Sequence, residues 1–480
     1  MALKDNRIYR YIAIPICALL CFIGRFIPTF GGLSQDAVSV LFIFLGSLIL
    51  WLTIGIDWPS LLTLFALGFL DNFKFSNVFS SSFGNFTWLF LLFTFICTYA
   101  LAKTSLIKRI AIAFVDNRLA KKSGYLFILL FLTSVLLLGL FIAPTVLFVV
   151  ILPILEEIFA VAKIEKGERI GKVMMMGLGF TVSISSGMTT IAHVFPVLAM
   201  SAAGIEVTPW AYMAMAIPVG LLVFAIMVLS FFFFAKPEVD KLKGLDVSAL
   251  RKDLPAATKR DIITAAIFIV VIILWIVPSF FKEGVPEFYD AINQYTIAMP
   301  PLLGAIALCL IRVDGEPLVK VEEAFKKGVP WASLIMCAAT LALGAALTND
   351  AIGLKLFLQN NLGTFLSSLP AILILIVFAI WAALQTNVSS NMVTATLVAT
   401  VAGAILSSPS IGLNLPAVAS IIGLLASFAF ATPPSMPHIA IVAGSGYANT
   451  KDVLLYGGLL MFSSIIVACL IGYPIASLVM

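Results

Sequence analysis

The chain has 480 residues, of which 61% are hydrophobic and only 11% are charged, and its formal net charge is +5. Soluble domains carry about 25% charged residues, so this composition excludes an ordinary soluble protein. The positive charges are dispersed among connections between apolar runs, which argues against a nucleic-acid-binding surface.

Apolar segments long enough to cross about 30 Å of hydrocarbon as helices recur along the chain. They include residues 37–56, 86–102, 125–143 and 261–281. A transmembrane β-barrel would instead show short segments of alternating hydrophobicity, and the sequence contains none. The sequence therefore predicts an all-α polytopic membrane protein.

Basic residues cluster near the N-terminus and in connections between the apolar runs. They are Lys4, Arg7 and Arg10, then Lys103, Lys108, Arg109, Arg118, Lys121 and Lys122, then Lys163, Lys166, Arg169 and Lys172, and several within 236–260. By the positive-inside rule these residues face the cytoplasm, so we expect a multi-pass protein of the cell membrane with a cytoplasmic N-terminus. The N-terminal region shows no small-residue cleavage pattern, which predicts a retained first helix.

The longest hydrophilic stretch, residues 236–260, has mixed charge and divides the chain into two halves. It is either a solvated connector or an amphipathic helix on the membrane surface. The six cysteines lie in apolar segments without CxxC spacing. That pattern predicts buried free thiols.

Each half contains two irregular points within its apolar sequence, in the same order. Residues 190–204 align with residues 432–446 at a constant offset of 242, and the upstream irregular points lie at 140–154 and 384–401. Secondary transporters use internal repeats whose discontinuous helices hold ions at their ends. Irregular backbone is tolerated at membrane depth only where protein or water surrounds it. The repeated order favours a secondary transporter over a set of ordinary surface loops.

Sequence motifs at these points resemble those of the divalent anion/sodium symporter family. The stretch SSNMVTAT supplies Ser390 and Asn391 of a Ser-Asn-Thr motif, with Met392 where the family has Thr. The stretch from ATPP to GSGY (431–447) is similar to the family's second broken-helix motif.

The first half resembles the same family less closely. SISSGMTTIAH (183–193) is similar to the first broken-helix motif, and APT (143–145) stands at the place of the first Ser-Asn-Thr. The resemblance in segment order covers most of the chain.

The resemblance implies two inverted repeats with re-entrant hairpins and discontinuous helices. It also implies a scaffold domain that forms a homodimer, and a transport domain that moves by an elevator mechanism. The implied first repeat is 1–235, with a re-entrant hairpin at about 125–158 and a broken helix at about 172–205. A cytoplasmic connector follows at 236–260. The implied second repeat is 261–480, with a re-entrant hairpin at about 366–408 and a broken helix at about 418–446.

The implied function is secondary active transport of C4 to C6 carboxylates, such as succinate, malate or 2-oxoglutarate, as an exchanger or a cation-coupled symporter. A dianion at membrane depth needs positive charge or many donors, and the apolar spans hold almost no Lys or Arg. Hydroxyl, amide and backbone N–H groups at hairpin tips and helix ends remain. The expected substrate-binding residues are Pro144, Thr145, Ser390, Asn391, Met392, Thr189, Thr190, Thr432 and Pro433. For each hydroxyl, a bond to its own helix backbone is the alternative.

In the family, sodium is held partly by the residue four before the Ser of the motif. The second half has Thr386, Ser389 and Asn391 as candidate oxygen ligands. The corresponding places in the first half are Gly139, Ala143 and Pro144, which offer no side-chain oxygen, whereas hard cations prefer oxygen ligands. The pattern favours exchange or a reduced sodium stoichiometry, with no cofactor beyond Na⁺.

The chain has two histidines, His193 and His438, and each lies in one of the repeated breaks. A protonated imidazole would replace a missing sodium ion or carry a coupled proton, because its pKa lies near physiological pH. The alternative is a neutral histidine bonded to backbone at a helix end.

Other functions remain as alternatives. The tips would also suit sulfate or another divalent inorganic anion, and a sodium/proton antiporter of related architecture would need an acidic residue at a broken helix. A membrane enzyme would show paired carboxylates, HExxH or a nucleophile with a partner base inside the membrane, and the apolar spans show none of these. An ATP-driven pump would need GxxxxGK[ST], which is also absent from the sequence. We therefore expect a transporter of a small divalent anion, not an enzyme.

Overall fold

A computed structural model describes most of the chain. The described residues are 7–245, 254, 256–280, 285–358, 361, 369–406 and 411–480. Their regular structure is helical, as predicted, except for one hairpin of two antiparallel strands, β1 (Arg312–Val313) and β2 (Glu316–Pro317). This hairpin corrects the all-α prediction at one short polar turn, where two-residue strands are too short to produce an alternating pattern.

The first half of the chain forms a continuous series of helices. They are α1 (Arg7–Ile23), α2 (Gln35–Thr53), α3 (Trp58–Leu67), α4 (Phe75–Ser81), α5 (Phe86–Ala102), α6 (Leu106–Val115), α7 (Arg118–Lys122), α8 (Gly124–Gly139), α9 (Pro144–Ala162), α10 (Arg169–Gly187), α11 (Phe195–Ala202) and α12 (Pro209–Ser230). A π-helical turn at Phe231–Ala235 extends α12.

The second half also consists mainly of helices. Its helices are α13 (Lys259–Phe280), α14 (Pro286–Asn293), α15 (Met299–Leu310), α16 (Val321–Glu323), α17 (Trp331–Thr348), α18 (Leu354–Leu358), α19 (Ala371–Val388), α20 (Asn391–Leu406), α21 (Leu415–Ser427), α22 (Pro437–Gly444), α23 (Thr450–Val467) and α24 (Tyr473–Val479). Turns of π-helix follow α16 at Ala324–Gly328 and α23 at Ala468–Gly472, and a 3₁₀ turn lies at Pro433–Ser435.

Several helices can cross a membrane. Within the described residues, six pass on length and composition: Pro144–Ala162, Pro209–Ala235, Lys259–Pro278, Trp331–Thr348, Ala371–Val388 and Thr450–Val479. The pair α4 and α5, bent by 45°, adds a seventh candidate. The chain is therefore a multi-pass membrane protein.

Polar residues set where many helices begin. The first N–H groups of a helix have no partner within it, so a side-chain oxygen just before the helix stabilises its start. Ser34 Oγ accepts from Ala37 N at 3.0 Å at the start of α2, and Asn85 Oδ1 accepts from Thr87 N at 2.8 Å at the start of α5. A capping box at Asn449 begins α23. These starts are encoded locally.

Some apolar helices are too short to cross a bilayer. The 13 residues of α21 extend roughly 20 Å at 1.5 Å per residue, short of a hydrocarbon core of about 30 Å. In α10 every residue from Val173 to Gly187 is buried. It packs against α8, α9, α12, α21 and α22, so protein surrounds α10 on all sides.

Four interruptions between apolar helices organise the core. The first turn (residues 140–143) joins α8 to α9, and the first break (residues 188–194) separates α10 from α11. The second turn (residues 389–390) joins α19 to α20, and the second break (residues 428–436) separates α21 from α22. The names first turn, second turn, first break and second break refer below to these segments.

The connector differs in part from its predicted bounds. A 3₁₀ turn occupies Val239–Leu242, and Lys259 and Arg260, which we placed in the connector, begin α13. Residues 246–253 and 255 lie outside the described residues, so the amphipathic-helix interpretation stays a prediction. The ends of the second predicted hairpin, 366–368 and 407–408, also lie outside them.

Candidate functional site

Several hydrogen bonds attach the last turn of α19 to α21 and to the second break. Thr386 Oγ1 donates to Ala426 O at 2.7 Å. Ala431 N donates to Asn387 Oδ1 at 2.7 Å, and Thr432 Oγ1 donates to Asn387 O. Because both Thr386 and Asn387 are buried, these bonds hold irregular backbone away from water.

Asn391 is the first residue of α20 and lies against the second break. Its Nδ2 donates to Ser435 O at 3.0 Å and lies 3.3 Å from Met436 Sδ. Its Oδ1 is buried and has no hydrogen-bond partner among the described residues. A buried acceptor left unpaired costs about 1–3 kcal/mol, so this oxygen is a candidate to contact a bound group. An amide oxygen is also a hard ligand suited to Na⁺.

The neighbouring hydroxyls are used by their own helices. Val393 N donates to Ser390 Oγ at 3.4 Å, and Ser389 Oγ donates to Gln385 O at 3.1 Å. Met392 is buried, and Pro433 is half-buried in the 3₁₀ turn of the second break. For Ser389 and Ser390 the structure therefore shows the helix-backbone bond that the sequence left open as an alternative.

The first turn and the first break are joined in a similar way. Thr189 Oγ1 donates to Leu140 O at 2.6 Å and accepts from Ile191 N and Ala192 N at 3.3 Å. In each half, then, a threonine hydroxyl of the break donates to a carbonyl at the end of the first helix of the preceding helix pair. Thr190 Oγ1 is buried and has no partner in the described part of the chain.

The first turn and the start of α9 have fewer polar groups than the second turn and the start of α20. Pro144 is buried at the first position of α9, where a missing N–H leaves the helix intact but removes one donor from its start. Thr145 is exposed. The hydrogen bonds of Ser390 and Asn391 run to Val393 and Ser435 rather than to Thr145.

Gly139 allows α8 to approach α10 closely. A Cβ built on Gly139 would lie 1.9 Å from Ser185 Oγ, so no other residue fits without a shift. The Ser185 hydroxyl, which donates to Val182 O at 3.1 Å, fills the space beside Gly139. A side-chain oxygen from α10 thus lies beside Gly139, which has no side-chain oxygen of its own.

The histidines occupy different surroundings. His438 is the second residue of α22 rather than part of the second break, which corrects its expected placement, because Pro437 begins the helix earlier than the sequence suggested. It is fully buried, and its Nε2 lies 2.8 Å from Ser183 Oγ on α10, a side-chain partner from the other half. His193 lies in the first break, half-buried, with its ring centroid 3.8 Å from that of Phe195.

The two halves meet where their breaks begin. A Cβ on Gly187, the last residue of α10, would lie 2.9 Å from both Ser427 Cβ and a ring carbon of Phe428. The end of α10 therefore touches the end of α21. This contact, with the bond between Ser183 and His438, brings both breaks into one buried region.

Three polar residues of this region were missing from the sequence-based list: Ser183, Asn387 and Ser435. Asn387 follows Thr386 directly in QTNVSS, so a polar residue in the last turn of an apolar helix was a usable signal. Ser183 and Ser435 carried no such signal, since their roles depend on partners far away in the sequence. The described residues hold no group of three His, Cys, Asp or Glu that could bind a metal ion.

The chain matches a family and individual proteins across most of its length. The family described as the sodium:sulfate symporter transmembrane region matches residues 6–480. The sodium-dependent dicarboxylate transporter SdcS of Staphylococcus saprophyticus is 25% identical over 496 residues, covering 98% of this chain and 92% of that protein. The sodium-dependent high-affinity dicarboxylate transporter 3 of Caenorhabditis elegans is 28% identical over 276 residues, covering 52% of this chain and 46% of that protein.

A solved structure shares the fold. The YdaH transporter of Alcanivorax borkumensis superposes with a TM-score of 0.58 at 14% identity, covering 92% of this chain and 97% of that one. At this identity the likeness shows the fold alone. The family match confirms the resemblance seen in the motifs and the expectation that the chain is not an enzyme. The chain belongs to the sodium:sulfate symporter family and is a dicarboxylate-transporter-like member of the divalent anion/sodium symporters.

Proposed function

We propose that the protein carries C4 to C6 di- and tricarboxylates across the cytoplasmic membrane by secondary active transport coupled to Na⁺. The observation that carries this proposal is the buried, unpartnered Asn391 Oδ1 beside the second break. The relatives named above are sodium-dependent dicarboxylate transporters, which supports the same substrate class and coupling ion.

The substrate is bound at helix starts. The first N–H groups of α20 are unpaired within the helix and carry a partial positive charge, which favours a carboxylate. Ser390 and Asn391 contact one carboxylate, and Thr145 at the start of α9 contacts the other. Thr189, Thr190 and Thr432 line the adjoining breaks, with Met392, Pro144 and Pro433 shaping the pocket.

The coupling ion binds in the second half. Asn391 Oδ1 is one ligand, and Thr386 and Ser389 supply hydroxyl oxygens on the same turn. In the first half Ser185 offers its hydroxyl beside Gly139, and His193 lies half-buried in the first break. His438, bonded to Ser183, holds α22 against α10.

The architecture is that of two repeats, 1–235 and 261–480, which meet at their breaks. The matching bonds from Thr189 to Leu140 and from Thr432 to Asn387 support this repeat. The transport domain moves by an elevator mechanism in a homodimer.

The test is uptake of radiolabelled succinate by proteoliposomes that contain the full chain. We expect an inward Na⁺ gradient to drive uptake, and Asn391→Ala to lower it by at least tenfold. Thr396→Val is the matched control, because Thr396 is buried on the same helix but donates only to Met392 O of that helix at 2.8 Å. It should change uptake by less than twofold.

The same vesicles separate the competing functions. Uptake that requires internal dicarboxylate and no Na⁺ would show that the protein is an exchanger and not a sodium symporter. Uptake of labelled sulfate but not succinate would favour the inorganic-anion alternative. Equal uptake by Asn391→Ala and Thr396→Val would remove Asn391 from the site.

A further inference from the structure

A second region of the molecule has the chemistry of an anion site. A cavity of about 450 Å³ lies between the end of α5, the first turn and the segment before α17. Its wall includes Thr98, Tyr99, Lys103, Ala143, Val146 and Lys327. Its volume falls within the range of about 300–1,000 Å³ typical of small-molecule sites.

The charges of this cavity come from two lysines and one glutamate beside it. Lys103 Nζ lies 3.0 Å from both carboxylate oxygens of Glu323, and Lys327 Nζ lies 3.3 Å from Glu323 Oε1. Tyr99 OH donates to the same Oε1 at 3.0 Å. Two positive charges and one negative charge leave the cluster with an excess of one positive charge.

The carboxylate of Glu323 shows what this cluster binds. Hydrogen bonds from Lys103, Tyr99 and Lys327 lower the pKa of Glu323 to about 2, so it stays ionised at physiological pH. Lys103 and Lys327 remain half or more exposed, at 51% and 68% of their side chains. Their ammonium groups can therefore meet a solute without unfolding.

The cavity leads toward the proposed substrate site. Its wall includes Ala143, which directly precedes Pro144 and Thr145 at the start of α9. Lys103 begins the basic connection that the positive-inside rule places on the cytoplasmic side. Lys103, Lys327 and Ala143, the residue just before the candidate Pro144 and Thr145, thus line one cavity.

We propose that this cavity is the cytoplasmic anion entrance, in which Lys103 and Lys327 bind an incoming dicarboxylate in exchange for the Glu323 carboxylate. The substrate class rests on the proposed function, whereas the electrostatic part does not. Glu323 occupies the cationic pair while no anion is present and releases it when a divalent anion arrives. Positive charge at an entrance raises the local concentration of anions and their association rate.

The experiment measures the local potential without relying on transport. Val146→Cys, at a wall position whose side chain is 40% exposed, is modified by an anionic and by a cationic methanethiosulfonate reagent in membranes. The ratio of the two rates reports the potential in the cavity. Lys103→Gln and Lys327→Gln should each lower the anionic-to-cationic ratio by about threefold to tenfold, and Glu323→Gln should raise it by a similar factor. The parent chain without Val146→Cys gives the background from native cysteines.

A neighbouring ion pair supplies the control. Lys326 and Glu322, 2.7 Å apart and 72% and 80% exposed, lie in the same segment but outside the cavity wall. Lys326→Gln should leave the ratio unchanged, and Lys103→Arg, which keeps the charge, should preserve it. An unchanged ratio in Lys103→Gln and Lys327→Gln, or a lower ratio in Glu323→Gln, would overturn the proposal.

Addition of succinate identifies the anion. Succinate should slow the anionic reagent in the Val146→Cys chain, and less so once Lys103 or Lys327 is neutral. If succinate slows the anionic reagent equally in all variants, the proposed exchange of the Glu323 carboxylate for succinate is wrong. If the anionic-to-cationic rate ratio depends on these charges but the protein takes up no succinate, the proposed anion entrance stands and the proposed substrate is wrong.

Discussion

At the residue scale, polar atoms in this protein are informative when they are buried and unpaired. Many buried hydroxyls described here bond to a carbonyl of their own helix, as Thr396 does to Met392 and Ser464 does to Met461. Asn391 differs because its amide nitrogen bonds across to the second break while its oxygen has no partner among the described residues. This contrast is why we propose that Asn391 contacts a bound group.

Gly139 gives a prediction at the same scale. Gly139→Ala should destabilise the protein by about 1–3 kcal/mol, because the new Cβ would lie 1.9 Å from Ser185 Oγ on a fully packed helix. Thermal unfolding in detergent, followed by tryptophan fluorescence, measures the change. Gly458→Ala is the control, since its Cβ meets nothing within 4 Å and the substitution should be neutral or stabilising. Equal melting temperatures for both variants would contradict the close approach.

At the scale of elements, the breaks are held by the helix pairs beside them. Irregular backbone inside a membrane protein is stable only when other protein groups satisfy its polar atoms. Asn387 does this for the second break by accepting from Ala431 N and Thr432 Oγ1. Thr189 does it for the first turn by donating to Leu140 O. Hydrogen bonds therefore attach each break to its own helix pair.

Asn387→Leu tests this coupling. The substitution keeps the number of non-hydrogen side-chain atoms but leaves the buried N–H of Ala431 without its acceptor, so we expect a loss of stability of about 1–3 kcal/mol. Succinate uptake should fall with it, because the second break loses its attachment to α19. Ser464→Ala, which removes a buried hydroxyl that bonds only to its own helix, should cost much less. A comparable loss in both variants, read by the same thermal assay, would argue against a special role for Asn387.

At the scale of the whole molecule, the two halves are tied together in several places. Ser183 bonds to His438 in the core, and Lys172 at the start of α10 pairs with Asp452 of α23 at 2.7 Å. The side chains of this ion pair are 28% and 15% exposed, so it is partly shielded from solvent. It joins residues 280 positions apart at one end of the core.

A double-mutant cycle measures what this ion pair contributes. Lys172→Gln alone should destabilise the protein by up to about 1 kcal/mol, the upper end for a partly exposed pair. Asp452→Asn should cost more, because Asp452 also completes the capping box of α23. A coupling energy of about 0.5–1 kcal/mol from thermal unfolding is expected, and additive single effects would show that the pair contributes nothing.

The amino-acid sequence by itself determined the class of protein and where its backbone is irregular. Hydropathy and charge are properties of contiguous segments, so they predict membrane helices and interruptions at Ala143, Ser390 and the prolines of 433–437. The order of the segments and four motifs together predicted the family, and SSNMVTAT was one of the clearer motifs. It did not separate Asn391, with its unpaired oxygen, from Ser389 and Ser390, whose hydroxyls bond to their own helices.

The tertiary structure alone decided which of those polar groups meet. Asn387 and Ala431 are 44 positions apart, and Ser183 and His438 are 255 apart, so no local pattern specifies their bonds. The same holds for the cavity, since Lys103, Ala143 and Lys327 come from three separate elements. A hydrogen bond or a cationic rim depends on distances of a few ångströms, and only the packing of helices sets distances between residues remote in the chain.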